Sequence, residues 1–297
     1  MTSFKVNCGL VFVIFCWASA FVGIRIGLTS YSPGSLALFR FLIASTLMTF
    51  LYSQLPNKKK IPWPDRLQLM LLGLIGLGVY NVSLNYGELS VPAGVASFIV
   101  GLMPLFTVLL AVILLHERPK PAVYIGIAIS FFGLVLIGIA ESQGASVNTG
   151  MLIILIAAVM GAIYTVYQKR FLQRYHPIAV TTWIIWGGTL SLVAFAPTLS
   201  AEIGGARIEA TLAVVYLGIF PAAIAYLCWG YILQFLPVSS AALYLYATPV
   251  VSTGLGFLVL HEQPSTLSLV GGLLALAGAL YATRYRQRLP TPLGTVD

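Results

Sequence analysis

The sequence predicts an all-α integral membrane protein of ten transmembrane helices, arranged as two inverted five-helix repeats. Three observations lead to this fold class: the scarcity of charge, the long apolar segments and a gapless internal repeat. Of the 297 residues, 59% are hydrophobic and 8% are charged, and the mean hydropathy is +0.95. A soluble domain usually carries about 25% charged residues. So few charges cannot cover a soluble surface of this size, and lipid is therefore the expected solvent for the outside.

Ten apolar segments are long enough to cross the bilayer core, which takes about 17–25 helical residues. Charged or turn-forming residues separate them, and no connection has room for a soluble domain. The expected spans are 9–28, 34–53, 68–87, 94–115, 121–140, 150–168, 178–197, 211–231, 238–260 and 267–283. The first segment, with Lys5 and Ala18-Ser19-Ala20, also resembles a signal peptide, but its apolar run continues past that site.

The net charge of +8 comes from basic residues that cluster in short connections between the apolar segments. With the N-terminus inside, the clusters at 58–60, 169–174 and 284–288 all fall on the inner side. Lys and Arg are enriched in cytoplasmic loops, so both termini are expected in the cytoplasm. The basic balance thus indicates membrane orientation and no nucleic-acid partner.

An internal repeat runs along the chain at a constant offset of 145 residues. The segment VPAGVASFIVGLMPLFTVLLAVILLHERP from Val91 aligns without gaps with LPVSSAALYLYATPVVSTGLGFLVLHEQP from Leu236. The two expected repeats are 1–146 and 147–297, the second ending in a short cytoplasmic tail. Each holds five spans, and an odd number gives the two halves opposite topology. Inverted repeats of this kind are typical of alternating-access transporters.

Four motifs carry a more specific resemblance: FCWASAF at 15–21, PGSLALFRF at 33–41, the stretch 104–117 and its copy 249–262. With these motifs the sequence resembles the drug/metabolite transporter superfamily, in its ten-helix EamA-type group. The resemblance covers both halves. It implies a multi-pass carrier of the bacterial inner membrane, whose relatives move amino acids, sugars, nucleotide sugars or drugs, often outward.

Two prolines are the expected hinges. Pro104 and Pro249 are repeat equivalents, and each lies inside a long apolar segment. Proline removes one backbone hydrogen bond and kinks a helix, so duplicated kinks near the bilayer middle predict a gate beside a solute site. The alternative is a packing kink without any contact to a solute.

The third span carries a polar face. Asn81, Asn85 and Glu88 follow the i, i+4, i+7 spacing of one helix side, and Tyr80 lies beside them. Amides are costly in lipid, so they are expected to face a cavity or to form hydrogen bonds between helices. Glu88 comes at the outer end of its span and is interpreted as an interfacial carboxylate.

Aromatic, hydroxyl and basic side chains within the spans complete the expected site. Tyr and Trp pair an apolar body with a polar tip, which suits an amphipathic organic solute. An intramembrane Arg is a candidate partner for a substrate carboxylate, although Arg40 could instead snorkel or bond to backbone carbonyls. The expected substrate-binding residues are Trp17, Arg40, Tyr80, Asn81, Asn85, Tyr226, Trp229, Tyr244 and Thr248.

No cofactor or metal site is expected. The three cysteines suggest no ligand framework, and inversion would place His116-Glu117 and His261-Glu262 on opposite membrane faces. No Asp or Glu lies deep in a predicted span, which argues against proton-coupled antiport.

The function predicted from these patterns is secondary transport of small organic metabolites without ATP, with export as the direction. Amino acids, including aromatic ones, are the first candidates. The alternatives are a drug, multidrug, sugar or nucleotide-sugar carrier and, from other classes, a channel or a membrane enzyme. No nucleophile with a base and no nucleotide-binding loop supports an enzyme. The expected partners are the solute and membrane lipid, and the expected assembly is a monomer or a homodimer.

Overall fold

The computed structural model describes residues 2–56, 59–142, 149–260 and 265–284. Within these ranges the chain is helical and contains no β-strand. The helices are α1 (Thr2–Gly27), α2 (Pro33–Ser53), α3 (Trp63–Leu72), α4 (Tyr80–Gly87), α5 (Ala93–Val100), α6 (Met103–Leu115), α7 (Pro121–Ser142), α8 (Thr149–Leu172), α9 (Pro177–Leu192), α10 (Ala196–Glu202), α11 (Ile208–Ile219), α12 (Ala225–Phe235), α13 (Val238–Ala242), α14 (Thr248–Leu260) and α15 (Thr266–Arg284).

The described part of the chain contains eight helical stretches that are long and apolar enough to cross a membrane. They are Phe4–Gly27, Pro33–Ser53, Trp63–Gly87, Ala93–Leu115, Thr149–Leu172, Pro177–Glu202, Ile208–Phe235 and Val238–Val259. Two shorter apolar helices, Pro121–Leu136 and Leu269–Ala282, accompany them. Large apolar side chains such as Val11, Leu258 and Leu273 stand exposed on the outside of the bundle. The protein is therefore a multi-pass membrane protein.

Several of these stretches are interrupted by short segments with other helical hydrogen bonding. Gly73–Val79, between α3 and α4, and Phe220–Ile224, between α11 and α12, are π-helical. Glycine allows the first of these to lie against α9, because a Cβ on Gly73 would stand 1.8 Å from the carbonyl oxygen of Ile184. Leu243–Ala247, which joins α13 to α14, is a 3₁₀ segment. Such interruptions free backbone groups and are frequent near functional sites.

Helices α7 and α15 pack against each other through small residues. Gly126 of α7 faces Gly278 of α15, and Gly133 faces Gly271, so the two helices run antiparallel. Ser130 Oγ donates a hydrogen bond to the carbonyl oxygen of Ala275 at 2.9 Å. Small residues let two backbones approach closely, which is a common way to join helices within lipid.

Polar contacts join the connections at each end of the bundle. At the end where α2 begins, called the Pro33 end below, the backbone N–H of Ser32 donates to Glu202 Oε2 at 3.0 Å. At the opposite end, called the Leu236 end after the corner that follows α12, Arg174 forms an ion pair with Asp65 at 3.3 Å. Tyr175 donates its hydroxyl to the same carboxylate, which raises the pKa of Tyr175 above its ordinary value.

Candidate functional site

A cavity lies between the helices in the middle of the bundle. Its lining comes from both halves of the chain and is mostly apolar or aromatic. The lining residues are Trp17, Ala20, Phe21, Arg40, Leu77, Tyr80, Leu84, Ser97, Val100, Gly101, Met103, Gly161, Tyr164, Thr165, Tyr226, Leu245 and Thr248. Cavities of this composition are typical of small-molecule sites, which occur between the helices of bundles.

Three aromatic rings in contact with one another form one wall of the cavity. The ring of Tyr226 lies 5.6 Å from that of Trp17 and 5.5 Å from that of Tyr164, in tilted and edge-on arrangements. Trp17 Nε1 also donates a hydrogen bond to the carbonyl oxygen of Pro221 at 3.3 Å. Because Pro221 lies in the π-helical segment, the irregular backbone there positions the indole at the cavity.

Arg40 is the cation at the cavity. It lies on the first half of α2 and is only 3% exposed. Its electrostatic neighbours are Tyr226, Tyr80 and Glu88. Among the described residues, Arg40 Nε has no hydrogen-bond partner. A buried guanidinium with an unused donor is suited to bind a planar carboxylate through paired hydrogen bonds.

Five of the nine residues expected to bind substrate line the cavity: Trp17, Arg40, Tyr80, Tyr226 and Thr248. They come from five different helical stretches, three in the first half of the chain and two in the second. Packing between the helices therefore brings together about half of the residues that the sequence predicts to bind substrate.

Asn81 and Asn85 are not among the residues that line the cavity. Asn81 Nδ2 donates to the carbonyl oxygen of Leu77 in the preceding turn at 2.8 Å. Asn85 Nδ2 donates to the carbonyl oxygen of Pro33 at 3.0 Å and so joins α4 to the start of α2. Both side chains are fully buried. Asn85 thus forms a hydrogen bond between helices, the alternative given in the sequence analysis. Asn81 instead bonds within its own helical stretch and contacts the hydroxyl of Tyr226, which lines the cavity.

Trp229 and Tyr244 also lie outside the lining. Trp229 is fully buried behind Trp17, with ring centroids 5.4 Å apart, so it supports the aromatic wall from the side away from the cavity. Tyr244 is half-buried and packs at the margin of the main hydrophobic core. It belongs to the 3₁₀ segment, where the neighbouring Leu245 takes the position at the cavity.

Pro104 and Pro249 occupy the first turns of α6 and α14, where proline needs no N–H partner. The apolar segments are thus each divided into two helices at these places. The two breaks meet: a Cβ on Gly101 would stand 2.9 Å from Cγ of Pro249. Residues beside both prolines, Met103 and Thr248, line the cavity.

The interpretation of Glu88 as an interfacial carboxylate was wrong. Glu88 is completely buried just beyond the end of α4, and Arg25 Nη1 donates to its carbonyl oxygen at 2.9 Å. A carboxylate can be buried here because the Arg40 cation lies within its electrostatic range. Glu88 follows the last residue of its span, so the expectation that no Asp or Glu lies deep in a span is unchanged.

The substrate-binding residues expected from the sequence include none from α8 or α5. Gly161 and Tyr164 of α8 line the cavity. Ser97 of α5 and Thr165 of α8 add two hydroxyl groups. Small and hydroxylated residues in an apolar helix give no distinctive pattern, so only the packing identifies them.

Comparison with known proteins supports a transport function. The model of the EamA-like transporter family matches residues 5–139 and again residues 148–284. The chain belongs to the EamA-like transporter family. The members of this family are transporters, and this EamA-family protein is accordingly a transporter and not an enzyme.

Two relatives of this EamA-family transporter are similar over most of their length. It is 39% identical to the "Uncharacterized transporter YdfC" of Bacillus subtilis over 89% of this chain and 86% of the relative. It is 36% identical to the "Probable terminal-alkyne amino-acid exporter" of Streptantibioticus cattleyicolor over 93% and 92%. A solved crystal structure with 25% identity superimposes with a TM-score of 0.73, covering 94% of this chain and 96% of the other.

Proposed function

We propose that this EamA-family transporter exports small organic metabolites across the bacterial inner membrane by alternating access, with amino acids, including aromatic ones, as its first substrates. The observation that carries the proposal is a cavity with aromatic walls and one buried cation, Arg40. An amino acid offers a carboxylate to the guanidinium and an apolar side chain to Trp17, Tyr80 and Tyr226.

The same cavity argues against other solute classes. The positive charge of Arg40 repels the cationic compounds that many drug carriers expel. A sugar or nucleotide sugar needs many hydrogen-bonding groups, whereas this lining is mostly apolar. The relative named as a probable terminal-alkyne amino-acid exporter agrees with an amino-acid head and an apolar tail.

The proposed framework has ten transmembrane helices in two inverted repeats, 1–146 and 147–297. The α7–α15 contact supports it, because Gly126 and Gly271 are repeat equivalents, as are Gly133 and Gly278. When each glycine is replaced by its repeat equivalent, the contact between Gly126 and Gly278 becomes the contact between Gly271 and Gly133. A two-fold axis between the antiparallel helices requires this relationship. The two matches to the family model and the two π-helical segments follow the same division.

Within this framework Pro104 and Pro249 are the proposed hinges. Each begins a helix at a break in its span, and the breaks touch at the middle of the bundle. A residue at such a break can absorb a change in backbone angle while the flanking helices move as rigid bodies. Rocking about these points would open the cavity toward one end of the bundle at a time.

The proposed orientation places both termini and the Leu236 end in the cytoplasm. Lys59, Lys60, Arg66 and Arg174 lie at that end, and basic residues favour the inner side. Lipid surrounds the bundle, and we propose a monomer or a homodimer.

The test is solute counterflow in proteoliposomes that contain the purified transporter. Vesicles loaded with unlabelled phenylalanine should accumulate external labelled phenylalanine, because a carrier exchanges solutes through one site. Phenethylamine, which lacks the carboxylate, should neither compete nor exchange. Counterflow of the amine in place of the amino acid would reject the proposed substrate class and favour a drug carrier.

Arg40→Met provides the test of the site itself. Losing a charged hydrogen-bonding partner should raise the KM for phenylalanine about tenfold or more. Arg207→Gln, which removes an exposed charge at the Pro33 end, is the matched control and should leave KM unchanged. An unchanged KM in Arg40→Met would exclude Arg40 from the site.

A further inference from the structure

Two charged side chains clamp the corner that joins α12 to α13 at the Leu236 end. Glu117 accepts hydrogen bonds from the backbone N–H groups of Val238 at 2.8 Å and Ser239 at 3.0 Å, and from Ser239 Oγ. Lys169 Nζ donates to the carbonyl oxygens of Leu233 and Leu236, the latter at 3.0 Å. The carboxylate of Glu117 binds the N–H groups that are free at the start of α13. The ammonium group of Lys169 binds the carbonyl groups that are free at the end of α12. Both charges are favourable at these helix termini.

The end of helix α6 and the burial of Lys169 fix the geometry of this clamp. His116 ends α6 in the left-handed region with φ 52°, and the N–H of Glu117 returns to the carbonyl oxygen of Ala111 at 3.2 Å. This helix ending turns the chain so that Glu117 reaches α13. Lys169 is only 4% exposed, so its charge would lack compensation if the corner moved away.

Between the clamp and the cavity, the bundle encloses polar side chains. Gln168, Thr181 and Trp229 are each at most 1% exposed. Among the described residues, Thr181 Oγ1 and Trp229 Nε1 have no hydrogen-bond partner, and the side-chain contact of Gln168 is with the hydroxyl of Tyr164, one turn away. Enclosing such atoms without partners is costly. A conformation that exposes them to water removes the cost.

Helix α8 connects these features in order. Tyr164 and Thr165 line the cavity, Gln168 follows one turn later, and Lys169 is in the clamp. Toward the Leu236 end the lining of the cavity stops at Thr165 on α8, and Gln168, Thr181 and Trp229 beyond it are buried.

We propose that Glu117 and Lys169 form a latch that holds the Leu236 end closed, and that its release opens a route from the cavity past Gln168 and Thr181. The inference rests on the transport function proposed above, because a carrier must open this end to complete its cycle. Glu117 belongs to the first repeat, and the corner that it binds belongs to the second. Releasing the Glu117 bonds therefore uncouples the two halves at this end, whereas the Lys169 bonds hold the corner within the second half.

The test measures the accessibility of a buried position when the latch is weakened. Thr181→Cys is introduced after Cys8, Cys16 and Cys228 are replaced by serine, and a charged, membrane-impermeant methanethiosulfonate reagent is added at the Leu236 side of oriented vesicles. Glu117→Ala and Lys169→Met should each label about ten times faster than the parent, because each removes charge-assisted hydrogen bonds from the closed state.

Glu202→Gln is the matched control, since Glu202 also accepts a backbone hydrogen bond between elements, but at the Pro33 end. Its labelling rate from the Leu236 side should equal that of the parent. If Glu117→Ala and Lys169→Met fail to accumulate, Ser239→Ala carries the test, with an expected rise of two- to fivefold from the loss of one neutral donor. Unchanged rates in the folded variants would overturn the latch.

The labelling needs no solute, so the two proposals can fail separately. Unchanged labelling together with normal phenylalanine counterflow would remove the latch and leave the carrier. Faster labelling without counterflow of any amino acid would keep a movable latch and reject the substrate class.

Discussion

Gly126 and Gly278 approach each other reciprocally: a Cβ on either residue would stand 2.6 Å from the carbonyl oxygen of the other. Contacts this short are closer than real Cβ atoms allow, so a methyl group at either position must push α7 and α15 apart. The pair therefore makes these two helices sensitive to the smallest possible substitution.

Gly126→Ala is accordingly expected to lower the free energy of unfolding by about 1–3 kcal/mol, the usual cost of overpacking. Gly254→Ala is the matched control, because a Cβ on this helical glycine meets nothing within 4 Å. Alanine is the better helix former, so the control should be neutral or slightly stabilising. Thermal unfolding in detergent measures both, and equal melting temperatures would contradict the close contact.

The two buried amides should respond differently to replacement by leucine. Asn85→Leu removes the hydrogen bond that joins α4 to the carbonyl of Pro33, at a cost of about 1 kcal/mol. Asn81→Leu removes a bond to the preceding turn of its own helical stretch and should cost less. Because Asn85 does not line the cavity, the KM for phenylalanine should stay the same in Asn85→Leu. A tenfold rise in KM for this variant would give Asn85 a direct role in binding.

Filling the cavity should block transport without unfolding the protein. A Cβ on Gly161 would lie 3.4 Å from the ring of Tyr80 and 2.6 Å from the flexible Met103 sulfur atom. Gly161→Leu should therefore occupy the solute space and reduce counterflow by at least about tenfold. Gly254→Leu, on an open face of α14, controls for the added apolar volume. Full counterflow in Gly161→Leu would place the solute elsewhere.

Stability should depend on pH through His176, outside the spans at the start of α9. His176 Nδ1 accepts the N–H of Ile178 at 3.3 Å, which requires the neutral ring, and burial lowers the pKa of His176 below 6.5. The contribution of this cap is complete above pH 6.5 and is lost as the pH falls through the lower folded-state pKa. His176→Asn keeps a cap that does not titrate. Melting temperatures between about pH 5 and 8 should fall toward acid in the parent and less in the variant.

Eight of the ten spans predicted from the sequence correspond to membrane-length helical stretches of the described chain. The prediction succeeds there because the length of an apolar run directly reflects the thickness of the bilayer core. The sequence also predicts Trp17, Arg40 and Tyr226 at the cavity, since large polar-tipped or charged side chains are costly elsewhere in lipid. The breaks at Gly73–Val79 and Phe220–Ile224 have no such signal. Their residues are as apolar as their neighbours, and only packing against other helices selects the altered hydrogen bonding.

The burial of Glu88 shows the limit of reading one helix at a time. Its position at the end of a span suggested solvent, but the environment is set by Arg40 from another helix and by Arg25 from a third. In the same way, helical spacing places Asn81 and Asn85 on one face of their helix but does not identify the groups that pack against that face. For Glu88 and for Asn85, the surrounding groups come from residues that are distant in the sequence.

The position of Trp17 gives the protein a built-in optical probe. Of the five tryptophans, all within the described residues, Trp17 alone lines the cavity. Indole emission changes when polar water beside the ring is exchanged for an organic molecule. A variant with phenylalanine at the other four positions would therefore let solutes be ranked by titration in detergent, with neither radiolabel nor vesicles.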